Sequence, residues 1–173
     1  MKKISQFDKE CLEMAIEVAK KTYQSGNYPV GAVLAIDGKI IDKAGNETNK
    51  HKSSVNHAEN NLIIKNGKLL RSACEKGKII SLYSTLEPCV QCLGASVTNR
   101  VNRIVFIERD PNGGASDLKH DNVGLFYKEF WPEIVHYSYS DKPKKMMIKF
   151  FHEEIERGNI EWPKRMLKLL QNN

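Results

Sequence analysis

The 173-residue chain contains no apolar run near the ~20 residues a membrane-crossing helix requires, so no membrane partner is expected. Its first residues, Met1-Lys2-Lys3-Ile4-Ser5, lack the apolar stretch of a secretory signal, and the cytoplasm is the expected location. Cysteine is scarce, with four residues, which excludes a disulfide-built scaffold. In a reducing compartment those four are expected as free thiols or metal ligands. Repeats, low-complexity tracts and linkers are also lacking, so residues 1–173 read as a single domain. What is present is ordinary for a chain with one core: 40% hydrophobic and 28% charged residues. The net charge of +6 permits an anionic partner such as RNA without requiring one, because the lysines are spread along the whole chain.

Periodicity supplies the elements. Leu12, Ile16, Ala19 and Tyr23 recur at helical steps and predict a helix over 7–24, with Ser5 or Asp8 as its N-cap. Residues 30–36 and 39–44 read as strands joined by the hairpin signal Asp37-Gly38. A polar loop over 45–55 leads to a helix from 56 to 66 that ends near Gly67. A strand follows at 79–84, then a helix opened by Pro88 and running to about 99. Residues 103–107 are apolar and β-branched, the mark of a buried strand. Beyond the turn cluster at 110–114, a short helix at 125–130, a strand at 134–139 and a helix at 144–156 are expected. Trp162-Pro163 reads as an interruption before a last short helix at 164–170. The order is that of an α/β sheet covered by helices.

Two short segments carry chemistry: His57-Ala58-Glu59 and Pro88-Cys89-Val90-Gln91-Cys92, each at the start of a helix. Cys89 and Cys92 are three apart, so one helical turn presents both sulfurs on the same side. Free N–H groups at a helix N-terminus favour thiolate over thiol. One imidazole and two thiolates suit zinc and leave a fourth tetrahedral position open to water, the catalytic rather than the structural arrangement. Glu59, two residues past His57, falls off the ligand face and is placed to move protons as general acid and base. Either segment alone has a plainer reading: a redox pair for the cysteines, a surface triplet for His-Ala-Glu, or a structural zinc site if a fourth ligand exists. Cys11 and Cys74 have no motif partner and read as core or surface thiols, and His120, His136 and His152 show no ligand spacing.

Taken together, the two segments match the H-x-E and P-C-x-x-C signature of zinc deaminases. The chain resembles the cytidine/deoxycytidylate deaminase superfamily from roughly residue 7 to residue 117. Tyr28-Pro29-Val30-Gly31-Ala32-Val33-Leu34 is similar to a first-strand segment of its tRNA adenosine and guanine deaminases, and Thr85-Leu86-Glu87-Pro88-Cys89 resembles the run that brings the cysteines to the metal. The resemblance implies a three-layer α/β/α sandwich with a five-stranded mixed sheet, one zinc per chain and a homodimer or larger assembly. It implies that Glu59 is the catalytic proton carrier, with His57, Cys89 and Cys92 on the metal. It further implies substrate contacts from Asn46, which resembles the family's second-strand asparagine, from the Ala58 backbone N–H, and from Leu86. The reaction implied is the exchange of an exocyclic ring amine for oxygen, with release of ammonia.

Which base is acted on is divided in the sequence. Arg109 to Ser116 resembles the D-P-x-G-G-x-S segment of tRNA adenosine deaminases, and Lys50, His51 and Lys52 lie where those enzymes also carry basic residues. Against this, Ser53-Ser54-Val55-Asn56 precedes His57 where those enzymes have D-P-T-A. Gln91 replaces their usual Met, and the tail carries Glu153, Glu154, Glu156 and Glu161 among its lysines. The loop over 50–56 and the tail bearing Trp162 look somewhat like fungal cytosine deaminases, where C-terminal helices cover a small pocket. Trp162 or Phe151 then reads either as a stacking surface for a base or as core. Glu108 and Asp110 are placed at the pocket mouth by analogy. The expected substrate is a small-molecule base or nucleoside, with tRNA as the alternative, and an inert RNA-binding relative as the non-enzymatic one.

Overall fold

The computed structural model describes residues 4–171. Helix α1 (Gln6–Gln24) starts on a capping box: Asp8 N–H donates to Ser5 Oγ at 3.1 Å, and Ser5 N–H donates to Asp8 Oδ2 at 2.8 Å. Ser5 is therefore the N-cap, and Asp8 the third residue of the helix. Strands β1 (Gly31–Ile36) and β2 (Lys39–Gly45) form a hairpin whose corner holds Asp37 and Gly38 at φ of 49° and 72°. Two successive positive φ values give the turn that matches the twist of a tight hairpin.

The polar loop before His57 contains one helical turn, α2 (Thr48–His51). Helix α3 (Ala58–Glu75) runs past Gly67, where the sequence suggested an end. A helical glycine costs about 1 kcal/mol relative to alanine, and here burial of Leu70 and Ala73 beyond it outweighs that cost. Strand β3 (Ile80–Leu86), helix α4 (Val90–Thr98) and strand β4 (Arg103–Glu108) follow, then a 3-10 turn (His120–Asn122) and α5 (Leu125–Glu129). Strand β5 (Glu133–His136) stops three residues short of the expected end. Helix α6 (Lys142–Glu156) and α7 (Glu161–Gln171) complete the chain. Trp162-Pro163 begins α7 instead of interrupting it, because a first-turn proline lacks an N–H that the helix would leave unpaired anyway.

The strands form one sheet in the order β2-β1-β3-β4-β5, antiparallel across β2-β1-β3 and parallel across β3-β4-β5. Alternation along the strands splits the core in two. Val33, Ala35, Tyr83, Val105 and Ile107 pack against Leu12, Ala15 and Ile16 of α1. Ala32, Leu34, Leu82 and Ile104 face Leu62 and Ile63 of α3 and Leu93 and Val97 of α4. Helices on both faces of the mixed sheet make the expected three layers. Met147, Phe150 and Phe151 of α6 and Met166 and Leu170 of α7 join the second core, so the C-terminal helices are part of the packed body. Among the described residues, no helix is long and apolar enough to cross a membrane.

Candidate metal centre and substrate cavity

Two helix N-termini meet at the ends of strands β2 and β3. His57 is the N-cap of α3 and Cys89 the N-cap of α4, each with extended backbone, and Cys92 sits one turn into α4. Pro88 therefore precedes the cap and does not open the helix. His57 Nδ1 lies 3.5 Å from Cys89 Sγ and 3.4 Å from Cys92 Sγ. A tetrahedral zinc with Zn–S near 2.3 Å and Zn–N near 2.0–2.1 Å separates nitrogen from sulfur by about 3.5 Å. The donor set and its spacing fit the ion. Among the described residues, these three form the one group of metal-ligating side chains close enough to share an ion. The neutral imidazole would ligate through Nδ1 and keep its proton on Nε2.

The electrostatics prepare these atoms. A hydrogen bond from Cys92 pushes the Cys89 thiol down to about 4 against the opposing effect of burial, and His57 adds to the shift. Cys92 rises in turn, through its hydrogen bond to Cys89 and its burial, with Glu59 adding to the shift. Its hydrogen bond to Cys89 raises His57. Glu59 is 3% exposed, and burial lifts its carboxyl above the usual range even though its own backbone N–H and Ser84 oppose the shift. Ser84 Oγ donates to Glu59 Oε1 at 3.0 Å, fixing the carboxyl, while Oε2 lies 3.6 Å from Cys92 Sγ. Ser84 had no signal in the sequence beyond its place in a strand.

His57, Glu59 and Cys89 line one side of a cavity of about 370 Å³, within the range of small-ligand pockets. Asn46 and Leu86 are part of its lining. Asn46 stands one residue past β2, and its carbonyl accepts from Thr48 N–H at 3.0 Å and Thr48 Oγ at 2.8 Å, so its NH2 end is the one offered to a ligand. Ala58 is fully buried and its side chain is not part of the lining, but it holds the first helical position of α3, where the N–H has no partner within the helix. Of the two residues placed at the mouth, Asp110 lines this cavity, whereas Glu108 lies in a neighbouring groove that shares Glu87 and Asp110.

Glu87 is the member of the Thr85–Cys89 run whose role the sequence did not disclose. It is 6% exposed and accepts from Asp110 N–H at 3.1 Å, Ser116 N–H at 3.0 Å and Arg109 at 3.3 Å. The segment over 109–117 is thereby tied to the cysteine turn, and Gly114 pairs across to Cys89. A Cβ at Gly114 would collide with the Glu87 carboxylate, the physical reason for glycine there. The C-terminal region adds Phe150 and Glu154 of α6, Asn159 between the helices, and Trp162 and Met166 of α7 to the lining.

A five-stranded mixed sheet carrying one imidazole and two thiols at paired helix N-termini, with a buried glutamate alongside, defines a zinc-dependent deaminase. The cytidine and deoxycytidylate deaminase zinc-binding region matches residues 5–108, and the chain belongs to that family, whose members are hydrolases of C–N bonds. The tRNA-specific adenosine deaminase of Bacillus subtilis (strain 168) is 42% identical over 109 residues, which is 63% of this chain and 66% of that protein. That of Haemophilus influenzae is 31% identical over 182 aligned residues, covering 97% of this chain and 95% of the relative. A solved structure from a study of A-to-I editing by tRNA:A34 deaminases superposes with a TM-score of 0.60 at 27% identity, over 80% of this chain and 99% of that one.

Proposed function

We propose that this chain replaces the exocyclic amine of a nucleobase or nucleoside, of cytosine, guanine or adenine type, with oxygen and releases ammonia. The observation that carries the reading is Glu59: a buried carboxyl in the cavity lining, anchored through Oε1 by Ser84, with Oε2 3.6 Å from Cys92 Sγ. His57, Cys89 and Cys92 would hold the zinc, which supplies a water acidic enough to be deprotonated near neutral pH. Glu59 would accept one proton from the water on Oε2 and deliver it to the ring nitrogen, then carry the second proton, from the hydroxyl added to the ring carbon, to the amine, which leaves as ammonia while the ring carbonyl forms. The Asn46 NH2 group and the Ala58 N–H orient the ring, and Leu86 packs against it. A homodimer in the cytoplasm is part of the same proposal.

A second reading, adenosine in tRNA, is favoured by one observation: the relatives that match across the metal centre are named for that substrate. The test is ammonia release by the zinc-loaded protein from cytosine, cytidine, guanine, adenosine and an anticodon stem-loop. Release from any one of them, abolished by a chelator and restored by zinc, is the expected result. A zinc-loaded protein inert toward all of them contradicts the proposal.

A further inference from the structure

The chain passes from α1 into β1 through Tyr28-Pro29, and a proline biases the residue before it toward extended backbone. Two residues on, the Val30 carbonyl accepts from Asn46 N–H at 2.9 Å, and Tyr28, Val30 and Asn46 all line the cavity. The Tyr28 ring is packed against three others: its centre lies 5.4 Å from that of Phe150, 5.6 Å from Phe151 and 5.9 Å from Trp162. A ring boxed in this way has little freedom, so the fold itself places the hydroxyl.

Most polar side chains of the lining are committed within the protein. Thr48 Oγ donates to Asn46 at 2.8 Å, Asn49 to the Gly26 carbonyl at 2.9 Å, and Asn159 to Glu154 at 3.2 Å. Glu59, Glu87 and Asp110 accept from Ser84, Ser116 and Asn112. Three lining residues, Tyr28, Asn112 and Trp162, make no side-chain hydrogen bond to any described residue. Asn112 and Trp162 are exposed and can meet bulk water. Tyr28 is partly buried, and burial, with Asp110 adding to it, holds its phenol above the ordinary range, so it keeps its proton. A tyrosine hydroxyl enclosed among apolar rings normally has a partner, and leaving it without one is costly. The cavity is where that partner enters.

We propose that Tyr28 is a substrate-contacting residue, whose hydroxyl hydrogen-bonds a polar atom of the bound substrate that neither Asn46 nor the Ala58 N–H reads. The inference rests on the deaminase reading above and deepens it, and it holds for a base, a nucleoside or an RNA alike. Its test is Tyr28→Phe, which removes the oxygen and keeps the ring against Phe150, Phe151 and Trp162. Ammonia release by the zinc-loaded protein gives kcat and KM for whichever of cytosine, cytidine, guanine, adenosine and an anticodon stem-loop the unaltered protein turns over. Calorimetric titration of the same compound into Glu59→Ala, with and without Tyr28→Phe, gives the dissociation constant in the absence of turnover. Zinc content and thermal unfolding are measured on each variant.

Tyr28→Phe is expected to weaken binding about tenfold, in KM and in the dissociation constant alike, because an enclosed polar atom of the substrate loses its partner. Turnover at saturation, zinc content and the unfolding temperature stay near those of the unaltered protein. A dissociation constant changed by less than about twofold would mean that the hydroxyl meets only water. That result overturns this inference alone and leaves the deaminase standing. Weaker binding together with a lower unfolding temperature assigns the hydroxyl to the packing of the aromatic rings and overturns it as well. An unaltered protein inert toward every compound sinks the deaminase reading, and this one with it.

Discussion

Residues 5–108 and the segment from Arg109 onward build one cavity and contribute different things to it. The first region supplies the proposed reactive atoms, held at helix N-termini where geometry and dipole are set by the backbone. The second supplies Asp110, Glu154 and Trp162, side chains that line the cavity without being positioned for proton transfer or metal binding. The reactive atoms and much of the wall that faces them thus come from different stretches of the chain.

The comparison is open to attack at several points. The largest effect is expected at the metal: His57→Ala removes one of three ligands, and zinc content measured by elemental analysis should fall to near zero together with all ammonia release. Retained zinc in that variant would move the centre elsewhere. Next comes Phe151, fully buried in α6 with its ring 5.1 Å from that of Trp162. Phe151→Ala should cost about 3–5 kcal/mol of stability, seen as one cooperative unfolding transition, because α6 shares its core with the sheet. Two separate transitions would show that the C-terminal helices form an independent unit.

A smaller effect is expected at Asp8, which ties α1 to the sheet by accepting from Tyr83 OH at 2.8 Å and from Arg103 at 2.6 Å. Burial raises its carboxyl, but the bonds from Arg103, Ser5 and Tyr83 together hold it below the ordinary value of 3.8. A carboxyl depressed in the folded state adds stability above its unfolded pKa and loses it as pH falls through the folded one. Asp8→Asn should cost about 1–3 kcal/mol at neutral pH and flatten the acid limb of the stability profile below about pH 4. An unchanged acid limb in denaturant titrations would dismiss that role.

The metal centre was legible because it depends on local spacing: His57 with Glu59, and Cys89 with Cys92, each sit within one helical turn. The sheet was legible for the same reason, from Asp37-Gly38 and the β-branched run at 103–107. Ser84 and Glu87 were not, because their meaning arises from partners 25 and 29 positions away that only folding brings close, and Glu154 reaches the cavity only through the packing of α6. Gly67 and Pro163 misled for a related reason. Local propensity marks a helix end at the first and a break before a helix at the second, yet tertiary burial carries α3 through the glycine, and α7 begins two residues before the proline. Trp162 was visible as a candidate, but its choice between core and cavity depended on where α7 packs.

The most direct test of the proposed mechanism is the ammonia-release rate of Glu59→Ala against the unaltered protein at equal, measured zinc content. The account expects zinc to be retained and the rate to fall by ~10²–10⁴-fold or more. An unchanged rate at full zinc occupancy would mean that the buried carboxyl carries no proton, and would contradict the mechanism at its centre.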